Sequence, residues 1–131
     1  MRFLIEAAEG LELIGVRGAG QLGAERVLLR AKTDLNLIRY LVLDTESPGE
    51  REIRDLNKNV YWFVDHPVAE GEYVRLYTRL GTDTTHTGTW GGKTVKYHDF
   101  FWDRLSPIWR GDSNAVVVVE IASWSFRRNG S

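Results

Sequence analysis

The chain has 131 residues, of which 43% are hydrophobic and 27% charged, with a formal net charge of -1 and no cysteine. This length fits one domain over residues 1–131, and the composition is that of a folded protein. The lack of cysteine excludes disulfides and thiolate sites, and the small net charge makes nucleic acid and acidic membranes unlikely partners on electrostatic grounds.

Strand-like segments rich in β-branched and large apolar residues occupy most of the first half, at residues 11–17, 26–31, 37–43 and 60–64. Glycine and proline separate them, most clearly at Ser47-Pro48-Gly49, which is a turn signal. Only residues 50–57 favour a turn or two of helix. Asp65-His66-Pro67 ends the fourth segment, since a proline holds the residue before it in an extended conformation.

The second half contains the clearest strand, residues 72–80, in which apolar side chains alternate with Tyr73, Arg75, Tyr77 and Arg79. This period of two predicts one buried and one solvated face. Residues 94–97 are a weaker candidate. The β-branched run at 115–122 predicts a central strand, and residues 123–127 alternate again.

Short strands with glycine and proline between them, and no long helix, predict an all-β sandwich or barrel of about 7–9 strands. The apolar run among the first residues is too short for a secretory signal and contains an acidic residue. No apolar segment is long enough to span a membrane. We therefore expect a cytoplasmic protein that does not bind membranes.

Several motifs recur in one known family. Glu25, Val27 and Leu29 form an E-x-V-x-L strand, and residues 77–84 contain G-T-D-T. This pattern resembles the bacterial lamin-tail domain, an immunoglobulin-like β-sandwich. The most specific part of the resemblance is the spacing of the residues that it implies to be fold determinants, which are Trp102, Trp109, Gly111 and Asp112.

The resemblance also implies a function. Lamin-tail domains are binding or structural modules with no shared catalytic residues and no cofactor. We therefore expect a non-catalytic module that engages a protein or glycan partner. A second copy of the chain, in a homodimer, is a further candidate partner that the sequence leaves open.

The segment 81–100 is the predicted contact region. Residues 81–92 are rich in threonine and glycine and read as a long surface loop, where function concentrates. Trp90 stands between Thr89 and two glycines, outside any strand pattern, and is the best candidate for an exposed contact. Tyr97 and Phe100 lie close in sequence and complete the predicted binding set.

An enzyme is the alternative. Asp83, His86, His98 and Asp99 could bind a divalent metal and form a metal-dependent hydrolase if the segment folds back on itself. The two histidines are twelve residues apart, and the set has no close ligand pair other than neighbours, which disfavours this alternative. The G-x-G-x-x-G at residues 18–23 lacks a following helix and is not a nucleotide site.

Overall fold

The computed structural model describes residues 9–47, 49 and 59–130. No α-helix occurs among them, which confirms the all-β prediction, and there is accordingly no helix in these ranges that could cross a membrane. The strands are β1 (Leu11–Arg17), β2 (Arg26–Ala31), β3 (Leu35–Asn36), β4 (Tyr40–Glu46), β5 (Val60–Trp62), β6 (Pro67–Val68), β7 (Tyr73–Tyr77), β8 (Thr84–Trp90), β9 (Lys93–Phe101) and β10 (Asn114–Glu120).

The ten strands form three open sheets. Five strands pair in the order β1-β2-β7-β9-β8, three in the order β10-β4-β5, and β3 pairs with β6. All pairs are antiparallel except β7 with β9. The chain therefore passes from β7 to the sheet edge at β8 and returns through a hairpin, so that β9 fills the position between them.

Alternation along the strands of the five-stranded sheet explains which side is buried. On β7, Val74 and Leu76 are fully buried, as the period of two predicts. Their register partners lie on the same face: Leu29 and His98 flank Val74, and Val27 and Phe100 flank Leu76. This inner face carries most of the apolar side chains of the sheet, whereas Leu28 is buried on the opposite face with Tyr73 and Tyr97.

One hydrophobic core contains side chains from all three sheets. The apolar residues of the inner face pack in the same cluster as Tyr40 and Val42 of β4 and Val68 of β6. Phe63, directly after β5, contacts Phe100 of β9 edge-to-face, with the ring centroids 5.2 Å apart. The sheets therefore depend on each other for burial.

Glu25 binds the segment before β10, at Ile108 and Trp109, and so holds it against this core. Its carboxylate is fully buried and accepts hydrogen bonds from the backbone of Gly20, Ile108 and Trp109 and from the Thr78 hydroxyl. Four donors on two oxygens compensate for the loss of water around the charge.

The four residues predicted as fold determinants lie in this segment or next to it. Trp109 is buried, and its ring lies 5.9 Å from that of the partly buried Trp102. The Gly111 backbone N–H donates to the Asn114 side chain at 2.8 Å, which closes the turn into β10. Asp112 is exposed in that turn.

The largest correction concerns segment 81–100, which is not a loop. Residues 84–90 form β8, which pairs along its whole length with β9. The two-residue connection Gly91-Gly92 has positive φ at both positions, 58° and 80°, as in the tight turns that match the twist of hairpin strands. Threonine is favoured in an exposed edge strand such as β8. The same threonine-rich composition is also typical of a loop, which is why the sequence predicts one here.

Other segments also differ from their predictions. The strand predicted at 72–80 ends at Tyr77, which leaves Leu80 exposed, and the strand predicted at 60–64 ends at Trp62. Residues 37–43 begin with a 3-10 turn at Leu37–Arg39, because the Asn36 side chain accepts the Ile38 N–H, and the strand starts only at Tyr40. Among the residues that the structure describes, the run at 115–122 forms β10 at the edge of its sheet rather than at the centre, and residues 123–127 form no strand. The helical turn predicted at 50–57 lies outside the described residues.

Candidate functional site

The outer face is the side of the five-stranded sheet that points away from the core. It consists of the side chains that alternate with the buried ones, and register partners again share the face. It is rich in arginine and aromatic residues. One row across the sheet contains Arg17, Arg26, Tyr77 and Phe101, and a second contains Glu12, Arg30, Tyr73, Tyr97 and His86.

Arg75 lies at the centre of the outer face, between these two rows. Its guanidinium makes a two-point contact with the Asp99 carboxylate, at 2.7 and 2.8 Å, and lies 4.0 Å from the centre of the Tyr97 ring. Burial by itself would lower the pKa of Arg75, but the hydrogen bond and charge of Asp99 raise it overall. This fixed ion pair holds β7 and β9 together and orients the rings around it.

The first row is a stack of rings and cations. Tyr77 and Phe101 are nearly parallel, with centroids 5.3 Å apart and planes 14° apart. The Arg79 guanidinium lies about 5 Å from both rings, at 5.0 and 4.9 Å. Arg26 adds a longer contact to Tyr77, at 5.9 Å. Such cation–π contacts orient the arginines while leaving their N–H groups able to bind other acceptors.

Trp90 ends the second aromatic group, where β8 reaches the turn. Its side chain remains 42% exposed although its ring lies 5.2 Å from that of Tyr73. Gly88, two residues earlier, gives the Tyr97 ring room, because a Cβ there would lie 2.7 Å from a ring carbon. Trp90 is therefore an exposed ring on a rigid support.

The predicted binding set separates into three environments. Trp90 is exposed on the outer face, as expected of a contact residue. Tyr97 shares that face but is only 5% exposed, under Arg75 and beside Tyr73. Phe100 points to the opposite side and is 2% exposed in the core. Of the three, Trp90 is the one whose surface a partner can reach.

The residues of the hydrolase alternative do not converge. His86 and Asp99 meet on the outer face, where His86 Nε2 lies 2.8 Å from an oxygen that Arg75 also binds. His98 points to the inner face, and Asp83 accepts the Phe101 N–H. The described residues contain no group of three or more histidine, cysteine or acidic side chains that could hold a metal.

A second polar network, on the inner face, consists of Glu72, His98 and His66. His98 Nε2 lies 2.9 Å from Glu72 Oε1, and His98 Nδ1 lies 2.8 Å from His66 Nε2. Burial and the neighbouring His98 both lower the pKa of His66. Burial would raise the pKa of Glu72, but the Ala69 N–H and His98 lower it overall.

With both rings neutral, the distances fit one arrangement of protons. The His98 Nε2–H donates to the ionised Glu72, and the His66 Nε2–H then donates to His98 Nδ1, so the lone pair of His66 lies on Nδ1. His66 also lines a cleft of about 270 Å³ together with Val64, Asp83 and Thr85. This arrangement can accept a proton, and it also gives hydrogen-bond partners to the buried His98 ring and the partly buried His66 ring.

The partners that organise both networks are not evident from the sequence. Arg75 was placed on the solvated face of its strand, and Glu72 received no role. His66 was interpreted only as a turn residue. Each is separated by 24 to 32 residues from the side chain that it binds. The alternation on β7 was the one available signal, since it placed Arg75 between two tyrosines on one face.

The chain was compared with protein-family models, with curated proteins and with solved structures, and none of the three comparisons gives a match.

Proposed function

We propose that this protein is a non-catalytic binding module that engages a protein or glycan partner through the outer face, at the β8–β9 hairpin. The observation that carries the proposal is Trp90, a large ring left 42% exposed while Tyr73 holds it in place. A rigid exposed ring provides contact area at little cost in conformational entropy. Arg30 and Lys93, both exposed nearby, provide hydrogen-bond donors around it.

A glycan suits this surface better than a protein. The C–H groups of a sugar ring stack on the electron-rich face of an indole, and its hydroxyls accept hydrogen bonds from arginine and lysine. A protein partner would be expected to cover a wider exposed apolar patch. The tyrosine and phenylalanine rings of the outer face are partly or almost fully buried, and the exposed His86 ring is bound to Asp99, so Trp90 is the exposed ring left open for contact.

We also propose that the fold is an immunoglobulin-like sandwich of the lamin-tail type. The contact between Glu25 and Trp109 supports this, because the carboxylate from the first motif accepts the backbone N–H of the tryptophan from the last one, at 3.1 Å. The core shared between the five-stranded and three-stranded sheets is also what two facing sheets require.

The test is a Trp90→Ala variant screened on an array of glycans and against a lysate. We expect the variant to fold like the natural chain and to lose most of its capture of the ligand, because the substitution removes the exposed contact and little of the core. Circular dichroism and thermal unfolding check the fold, and titration calorimetry with the captured ligand measures the affinity.

Trp124→Ala is the matched control. Trp124 is 47% exposed and also packs against one ring, that of Trp62 at 5.5 Å, but it is not on the outer face. Equal binding by both variants and the natural chain would show that Trp90 is not the contact. A loss of binding in both variants would point to a surface shared with Trp124 and would equally overturn the assignment.

A further inference from the structure

We infer that the ligand of the outer face is an acidic polysaccharide, a chain of sugar rings carrying carboxylates, bound by Trp90 together with the exposed cations Arg30 and Lys93. This inference rests on the proposed function and specifies its ligand. It depends on three observations about the outer face: its excess of positive charge, the exposure of two of its cations, and the position of those cations relative to the Trp90 ring.

The outer face is cationic although the chain as a whole is not. The outer face carries two carboxylates, those of Glu12 and Asp99, and six cationic side chains, which are Arg17, Arg26, Arg30, Arg75, Arg79 and Lys93. Since the whole chain has a formal net charge of -1, the remaining residues are net acidic. This asymmetry gives the outer face a positive potential that attracts an anionic ligand.

The exposed cations are available to a ligand, whereas the central one is not. Arg75 already binds both oxygens of Asp99. Arg30 is exposed and lies opposite Tyr73 in the register, and Lys93 is exposed and lies opposite Trp90. With a neutral glycan, Arg30 would have only the carboxylate of Glu12, which lies opposite it on β1, and Lys93 would gain no anion, whereas a carboxylated sugar can pair with both cations.

The distances fit neighbouring sugar rings. The ring centroids of Trp90 and Tyr73 lie 5.2 Å apart. Arg30 lies on β2, the strand next to that of Tyr73. Neighbouring strands lie about 4.8 Å apart, so the indole beside Tyr73 and the Arg30 side chain on the next strand can contact neighbouring sugars of one chain. One ring can stack on Trp90 while the carboxylate of the next reaches Arg30.

Single-stranded nucleic acid fits less well. Non-specific binding of single strands uses several exposed rings on which successive bases stack. Here Tyr73 and Tyr97 are 7% and 5% exposed, so their faces are covered by their neighbours. Tyr77 and Phe101 stack on each other and contact Arg79, so Trp90 is the open stacking position of the outer face, and the cations beside it suit a carboxylated sugar.

The test measures binding of the full chain to polygalacturonate, to neutral dextran and to oligo-dT, at low and at physiological salt. We expect polygalacturonate to bind at least tenfold more tightly than the other two, and its affinity to fall as salt screens the arginine and lysine charges. Arg30→Glu and Lys93→Glu should each weaken this binding about fivefold to tenfold. Arg39→Glu, on the 3-10 turn before β4, makes the same charge change away from the outer face and should leave it unchanged.

The outcomes separate this inference from the proposed function. If dextran binds as well as polygalacturonate, and Trp90→Ala alone weakens it, the binding module stands and the acidic ligand is wrong. Tighter binding of oligo-dT, or of a protein alone, would also overturn the acidic ligand. If neither Trp90→Ala nor the charge reversals change any binding, the outer face is not the binding surface and both proposals fail.

Discussion

At the scale of single residues, Glu25 shows how one carboxylate can organise a long segment. It lies just before β2 and binds backbone N–H groups from the loop that precedes it, at Gly20, and from a distant loop, at Ile108-Trp109. A backbone N–H that is buried without a partner costs free energy. The carboxylate accepts the hydrogen bonds of loop N–H groups that have no strand neighbour to pair with.

Glu25→Gln should therefore destabilise the protein although it keeps the size of the side chain. Each carboxylate oxygen accepts two donors, so the amide nitrogen of a glutamine meets the Gly20 and Trp109 N–H groups in one orientation. In the other orientation it meets the Ile108 N–H, and there the Thr78 hydroxyl can turn to accept. We expect the free energy of unfolding in urea to fall by about 2–3 kcal/mol.

Glu12→Gln is the matched control for this prediction. Glu12 is an exposed residue of β1, and the same change of charge there should alter the free energy of unfolding by less than about 0.5 kcal/mol. An equal loss in the two variants would mean that net charge, rather than the buried hydrogen bonds, accounts for the effect.

At the scale of elements, the β8–β9 hairpin determines where the proposed contact ring lies. β8 contacts β9 alone in its sheet, so its position depends on that one pairing and on the turn. Gly91 and Gly92 both have φ in the left-handed region. Most side chains with a Cβ are strained in this region, and asparagine is one of the few that tolerate it.

Gly92→Ala should therefore loosen the hairpin, whereas Gly91→Asn should not. We expect Gly92→Ala to cost about 1–2 kcal/mol and to speed amide hydrogen exchange in β8 more than in β2 or β7. Asparagine is accepted at the first position of such turns, so Gly91→Asn should keep the natural exchange pattern. Fast exchange in both variants would show that the turn does not control the position of β8.

At the scale of the whole molecule, the Glu72–His98–His66 network connects the five-stranded sheet to the segment entering β6. The His66 ring also contacts Phe100, with centroids 5.2 Å apart, so the polar network lies next to the core. Protonation of these groups therefore affects the packing of the sheets, and folding stability should depend on pH.

Both lowered pKa values act in the same direction. The folded chain keeps His66 neutral below pH 6.5, where the unfolded chain takes up a proton, and it keeps Glu72 ionised below pH 4.5. The stabilisation is complete above about pH 6.5 and is lost as pH falls through the folded-state pKa of each group.

Thermal unfolding followed by circular dichroism should therefore show a melting temperature that is level above pH 6.5 and falls below it. Glu72→Gln removes the carboxylate contribution, so the further fall below pH 4.5 should be smaller in that variant. A melting temperature that rises on acidification, or the same fall in both chains, would contradict the assigned network.

The sequence by itself determined the all-β class, the approximate positions of most strands and the two faces of β7. These features depend on local chemistry: alternation of side chains, β-branched residues, and turns at glycine and proline. The bounds of β1 and β2 match their predictions for this reason. The same local chemistry misled at residues 84–90, because a polar edge strand and a loop share the composition of threonine and glycine.

Only the tertiary structure decided which side chains act together. Arg75 meets Asp99 because β7 and β9 pair in parallel, and His66 meets His98 because the segment entering β6 packs against β9. It also separated His98 from its sequence neighbour Asp99, since adjacent residues of a strand point to opposite faces. Strand order and register depend on long-range burial of the whole core, and no local pattern in the chain encodes those pairings.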